Sequence, residues 1–230
     1  LNPAGLRTMS RKPYHAPVDP NRLWPDGKPQ KPFDPDKQPP SSLEVAYGRL
    51  FAEMAASADC LIDFHNAWTG SISFAFRDRV LYRADGDESR NHAEAESLAA
   101  RTEGVLQAYG HTIINEFPAE KYIEEKLHRS TSGALLLVER IPAITVELGT
   151  GEVPDAAIIT AAIAGTRNVL RHLGMLPGDP EPITGITVID PGYPVRRRGA
   201  PRVAESCIAV HLVEAGDPVL TLMDLEHLRV

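Results

Sequence analysis

The apolar residues of this chain follow two periods. Over residues 42–57, Leu43, Ala46, Tyr47, Leu50, Phe51 and Met54 recur at three- and four-residue steps, the stripe of an amphipathic helix. Ser41 and Glu44 open it in a capping-box pattern. Further helices are expected over about 88–109, stopping at Gly110, and over 118–128, with Pro118 near the first turn. Another is expected over about 154–173, with Pro154 in its first turn and Gly174 past its end. Between the helices lie short runs of a different kind. Cys60-Leu61-Ile62-Asp63-Phe64-His65-Asn66 is an apolar run that ends abruptly in polar residues, as a buried strand of a parallel sheet does. Residues 71–76 alternate Ser with Ile and Phe and predict a second strand, and 111–117 predict a third. Gly133–Val138 and Ile141–Leu148 are the next apolar runs, the second a buried-strand candidate carrying Glu147 near its carboxyl end. Strands that alternate with helices in this way predict an α/β fold, a three-layer α/β/α domain.

The pattern changes at both ends. Residues 1 to about 40 are rich in Pro, Lys and Asp and show little periodicity, so turns and an irregular loop are expected there. After Pro177-Gly178-Asp179-Pro180, β-branched pieces separated by Gly and Pro predict a small C-terminal all-β module. The expected division is a domain over 1–178 and a small β domain over 181–230. Arg196-Arg197-Arg198 is a charge run that suits a solvated strand face.

Composition narrows the classes. The chain has 230 residues and a formal net charge of -7, which disfavours nucleic acid or an anionic membrane as the main partner. No apolar run approaches the roughly 20 residues that span a bilayer. Two cysteines, Cys60 and Cys207, are too few for a disulfide framework, and a reduced, cytoplasmic location is the default expectation.

Candidate chemistry sits at strand ends. In open parallel sheets ligands bind outside the carboxyl ends of the strands, which is where the first run delivers His65. Asp63, two residues earlier, shares its face and could orient a neighbouring ligand. A lone histidine there can equally be a satisfied structural residue, and Glu147 a solvated carboxylate at a loop edge. Arg11 and the pair Asn21-Arg22 lie in the irregular N-terminal stretch and, taken alone, are ordinary surface residues.

Together, Asn2-Pro3-Ala4-Gly5, Asp19-Pro20-Asn21-Arg22-Leu23-Trp24-Pro25, the strand ending Asp63-Phe64-His65 and Glu147-Leu148-Gly149 resemble the succinylglutamate desuccinylase/aspartoacylase family of the zinc carboxypeptidase clan. The resemblance covers roughly residues 1–175. It implies a zinc carboxypeptidase-like fold with a mostly parallel mixed sheet, and a Zn2+-dependent hydrolase that cleaves the amide bond of an N-acylated amino acid or similar small carboxylate. It implies that His65 is a zinc ligand, and that Glu147 is the general base for the zinc-bound water and then the acid for the leaving amine. Asn21 and Arg22 would hold the substrate carboxylate. Arg11, or Arg7 in a shifted register, would polarise the scissile carbonyl.

The family's remaining zinc ligands, a His and a Glu in a His-Gly-x-Glu segment, precede Asn-Pro-x-Gly in its pattern. They are expected upstream of Leu1. Three readings therefore stand: a zinc deacylase, a zinc carboxypeptidase acting on peptides, and a metal-free carboxylate-binding domain. The partner expected is a small molecule, with no nucleic acid and no membrane, and a homo-oligomer is left open.

Overall fold

A computed structural model describes residues 2–28, 41–66, 73–83, 86–149 and 156–181, together with the backbone of 188–189. A mixed sheet is its centre, with strands β1 (Leu61–His65), β2 (Phe74–Arg77), β3 (Thr112–Asn115), β4 (Ala143–Glu147) and β5 (Val188–Ile189) in the order β1-β4-β2-β3-β5. The pairs β1–β4, β2–β3 and β3–β5 are parallel, and only β2–β4 is antiparallel. Helices α1 (Pro3–Thr8), α2 (Ser42–Ser57), α3 (Glu88–Tyr109), α4 (Ala119–Glu124), α5 (Thr131–Ala134) and α6 (Ala156–His172) surround it. Apart from β5, the expected C-terminal β module lies outside the described residues.

The two sheet faces carry different cores. Because side chains alternate along a strand, Ile144 and Val146 of β4 share one face with Ala75 and Ile113. That face packs on Val105, Leu106 and Tyr109 of α3 and Val169 of α6. The opposite face turns Leu61 and Ala143 toward Trp24, Tyr47 and Phe51, and toward Leu135 and Leu136 just past α5. Farther along the same strands this second face presents Asp63 and His65 of β1 and Thr145 and Glu147 of β4. It is apolar at one end and polar at the other.

Local chemistry explains the helix limits. The Ser41–Glu44 capping box forms in full, Glu44 N–H donating to Ser41 Oγ while Ser41 N–H donates to the Glu44 carboxylate. Gly110 ends α3 at φ 78°, a left-handed conformation that glycine adopts without a Cβ clash. Among the described residues no helix is long and apolar enough to cross a membrane.

The structure adds to the sequence reading in two segments. The N-terminal stretch is not only turns, because Asn2 caps α1 by accepting from Gly5 N–H and Pro3 suits the first helical position. A six-residue helix is too short for a hydrophobic period to reveal. The 133–138 run is helical: Ser130 caps α5, and Leu135–Glu139 continues it as a π-turn. Arginines serve its end, Arg140 Nη1 donating to Leu136 O at 3.2 Å and Arg83 donating to the carbonyls of Leu137 and Val138. The strand bearing His65 is also less buried than its apolar run suggests. It pairs only with β4 among the described residues, and Phe64 on its outer side is 47% exposed.

Helix α6 crosses α3 at Gly165, where an added Cβ would stand 2.8 Å from Tyr109 O and 2.9 Å from its ring. Gly165→Ala is expected to lower stability by about 1–3 kcal/mol through overpacking, measured by urea unfolding. Ser41→Ala, at the exposed cap, is expected to cost about 1 kcal/mol in the same assay.

Candidate active site

Parallel pairing of β1 with β4 places His65 directly beside Glu147. Asp63, on the same face of β1, has its Oδ2 3.0 Å from His65 Nε2. That hydrogen bond is the main reason the His65 imidazole is held above its usual pKa, with burial acting against it and the Asp63 and Glu147 charges adding to it. The contact occupies Nε2 and leaves Nδ1 as the ring nitrogen available to a further partner. Glu147 is half-buried, and its Oε2 is buried without a hydrogen-bond partner. Burial raises its pKa, while His65 and Arg11 pull it down.

The N-terminal segment closes over this pair. Trp24 is buried against Tyr47, ring centroids 4.8 Å apart, and exchanges backbone hydrogen bonds with Arg129 through its N–H and the Arg129 side chain through its carbonyl. Asp19 does two things: its Oδ2 accepts Arg11 Nε at 2.7 Å and its Oδ1 accepts Asn21 N–H at 3.0 Å. Asn2 Nδ2 donates to Arg11 O at 3.0 Å. Asn21 Oδ1 in turn accepts from Thr131 N–H at 2.9 Å and Thr131 Oγ1 at 3.0 Å. The result is a cleft of about 280 Å³ lined by Asn2, Arg11, Asp19, Asn21, Asp63 and His65, with Trp24 and Tyr47 at its wall. Its size is at the small end for ligand sites.

The structure therefore brings His65, Arg11 and Asn21 to one cleft, with Glu147 beside His65. Arg11 is close enough to act on the charges of both His65 and Glu147. Arg7 is exposed in the last turn of α1 and does not line the cleft. Arg22 does not line it either: its Nε donates to Glu125 O at 3.0 Å and its Nη1 to Asn21 O at 2.7 Å. Both bonds brace the Asn21 loop against the end of α4. Arg77 and Arg79 are engaged elsewhere, Arg77 with Glu103 and Asn115, and Arg79 with the carbonyls of Glu116 and Phe117.

Sequence reasoning passed over a buried polar layer beneath the cleft. Asp78 accepts from Tyr122 Oη at 2.9 Å and from Thr145 Oγ1 at 3.1 Å. Glu116 lies nearby, buried and pushed up to about 7, chiefly by desolvation and by the Asp78 charge, with Arg22 and Arg79 opposing. The available signal was Thr145 at a two-residue step from Glu147, and an Asp between two arginines at a strand end.

Metal chemistry meets a partial donor set. Among the described residues no group of three or more His, Cys, Asp and Glu side chains could hold a metal ion. A catalytic zinc takes three protein ligands. His65, oriented by Asp63 as ligating histidines are by carboxylates, fits the part of one of them.

Asn21→Ala is expected to destabilise by about 1–2 kcal/mol, since it leaves the Thr131 N–H and hydroxyl without their acceptor. Asn21→Asp, which keeps an oxygen there, is expected to cost less in the same unfolding assay. Glu116 makes a pH prediction. Its folded-state value near 7 exceeds the ordinary carboxylate value, so the native state holds the proton longer than the unfolded chain. Its contribution is present in full below about pH 4.3 and is lost as pH rises toward 7. Glu116→Gln should therefore gain on the wild type in melting temperature at pH 8 relative to pH 5.

No family model matches the chain, and no curated protein matches it. Solved structures do. The product-bound ectoine utilization protein EutE (DoeB) from Ruegeria pomeroyi superposes with a TM-score of 0.56 at 19% identity, covering 82% of this chain and 49% of that one. A succinylglutamate desuccinylase/aspartoacylase from Rhodobacter sphaeroides gives 0.53 at 20% identity, covering 81% and 48%. A succinylglutamate desuccinylase from Silicibacter sp. TM1040 gives 0.53 at 19%, again covering 81% and 48%. The chain spans about half the length of each of these proteins. It is an α/β protein with the fold of the succinylglutamate desuccinylase/aspartoacylase structures.

Proposed function

We propose that this chain carries part of a zinc-dependent hydrolase that removes an acyl group from an N-acylated amino acid or a similar small carboxylate. The observation that carries the reading is the placement of His65 beside a half-buried Glu147, with Asp63 on the histidine and Arg11 within electrostatic reach. The names of the proteins that share the fold support the same class of reaction.

In this reading His65 would hold zinc through Nδ1, with ligands that lie outside the described residues. Held there, the metal would supply a water whose pKa is lowered to about 7. The residues of the chain do the rest. Glu147, with one carboxylate oxygen free of partners, takes a proton from the attacking water and returns it to the leaving nitrogen, a role worth about 10² to 10⁴ in rate. Arg11, held by Asp19 at Nε, offers its remaining N–H groups to the carbonyl oxygen as charge develops on it. Asn21, with Oδ1 committed to Thr131, keeps Nδ2 to donate to the substrate carboxylate. Arg22 supports that grip from behind by bracing the Asn21 loop.

A carboxylate-binding domain without catalysis is the second reading, resting on Arg11 and Asn21 at the cleft. Metal analysis of the full-length protein separates the two: about one zinc per chain is expected for the enzyme. Turnover of N-acetyl and N-succinyl amino acids against short peptides separates a deacylase from a carboxypeptidase. Glu147→Gln is expected to abolish turnover and keep the metal. Near-normal turnover in that variant would remove Glu147 from the mechanism.

A further inference from the structure

Three of the groups assigned above lead, within a few residues, to one buried carboxyl that the proposed chemistry does not use. Asp78 follows β2 and is only 7% exposed. Its Oδ1 accepts from Tyr122 Oη of α4 at 2.9 Å, and its Oδ2 from Thr145 Oγ1 of β4 at 3.1 Å. Ser132 of α5 stands behind Thr145, its Oγ 2.8 Å from Thr145 Oγ1, and donates to that hydroxyl while Thr145 donates to Asp78. Two hydroxyls converge on it and a third joins through Thr145, from three elements in all.

Each element then runs to a different part of the site. Thr145 stands two residues before Glu147 on the same face of β4. Ser132 follows Thr131, which holds Asn21 Oδ1 by two hydrogen bonds. Tyr122 lies a turn before Glu125, whose carbonyl accepts Arg22 Nε. An ionised carboxyl is suited to join them because it only accepts, on two oxygens with about four lone-pair directions. An amide in its place would turn N–H donors toward hydroxyls that already donate. Isolated in an apolar interior such a group is costly, and the hydroxyls offset part of that cost, burial still holding the Asp78 carboxyl above its usual pKa.

We infer that Asp78 is a positioning residue that sets Glu147, Asn21 and the Arg22 brace in register with one another. The inference rests on the roles proposed for those residues. It separates into arms. The Thr145 arm serves Glu147 and hence the chemical step, while the Ser132 and Tyr122 arms serve the substrate carboxylate.

The test uses the full-length, zinc-loaded protein with N-acetyl and N-succinyl amino acids. Asp78→Asn is expected to lower kcat/KM by about 10²-fold, the scale of an ångström's misplacement. Thr145→Val is expected to lower kcat severalfold with KM held, and Ser132→Ala and Tyr122→Phe to raise KM severalfold with kcat held. Wild-type kinetics in all four variants overturns the inference. So does a loss in each that only tracks the unfolded fraction seen by circular dichroism. If Asp78→Asn does not fold, the three hydroxyl variants decide. A wild-type protein that turns over none of these substrates overturns the proposed function instead. Crystal structures then decide the role of Asp78: a shift of the Glu147 carboxylate and Asn21 amide relative to His65 in Asp78→Asn upholds it, and an unmoved pair overturns it.

Discussion

The parallel ladder between β1 and β4 is the constraint on which the rest of this molecule depends. Its register opposes Leu61 to Ala143 at one end and His65 to Glu147 at the other. A backbone hydrogen bond from Leu148 N–H to His65 O, 2.8 Å long, carries the pairing one step past the strand ends. A slip by one residue would exchange the two faces, burying Asp63 and His65 against the core of α3 and α6. What prevents the slip is burial. Ile144 and Val146 are fully enclosed on that core, so β4 has one tolerable register. The ladder then transmits that register to β1, which pairs with no other strand among the described residues.

Around the ladder the polar groups are arranged by depth. Deepest is Asp78, whose carboxyl is buried and held by hydroxyl donors. Asp63 and Thr145 lie at the next level, opposite each other in the register, and His65 and Glu147 lie above them. Charge grows less compensated from Asp78 to Glu147: Asp78 has two hydroxyl donors, whereas Glu147 keeps an oxygen with none. Buried polar atoms in folded proteins are nearly always paired, so this orphan oxygen beside His65 stands out from the rest of the polar layer.

The N-terminal segment supplies the second half of the site by a different means. It has little regular structure, and Trp24 anchors it by filling the space above Tyr47 and Phe51. With that anchor in place, Asp19 can bind Arg11 and Asn21 at once, and Thr131 can receive Asn21. A loop fixed by one buried aromatic ring and a few side-chain bonds is precise where it touches the core and exposed elsewhere, as Leu6, Met9 and Tyr14 are.

Sequence alone determined the parts of this protein that depend on local chemistry. The capping box at Ser41, the stop at Gly110, the helix past residue 154 and the strand ending in His65 are all set by neighbours within a few positions. So is the shared face of Asp63 and His65, because alternation along a strand is a local property. Tertiary structure decided the rest. The direction of β2 against β4, the pairing of β1 with β4 and the helical fate of residues 133–138 depend on partners far away in the chain. Arg11 and Arg22 look equivalent in the sequence, yet one faces the cleft and the other is bound to the carbonyls of Asn21 and Glu125. The hydroxyl layer around Asp78 was invisible for the same reason: Tyr122, Ser132 and Thr145 carry no common pattern until folding brings them to one carboxyl.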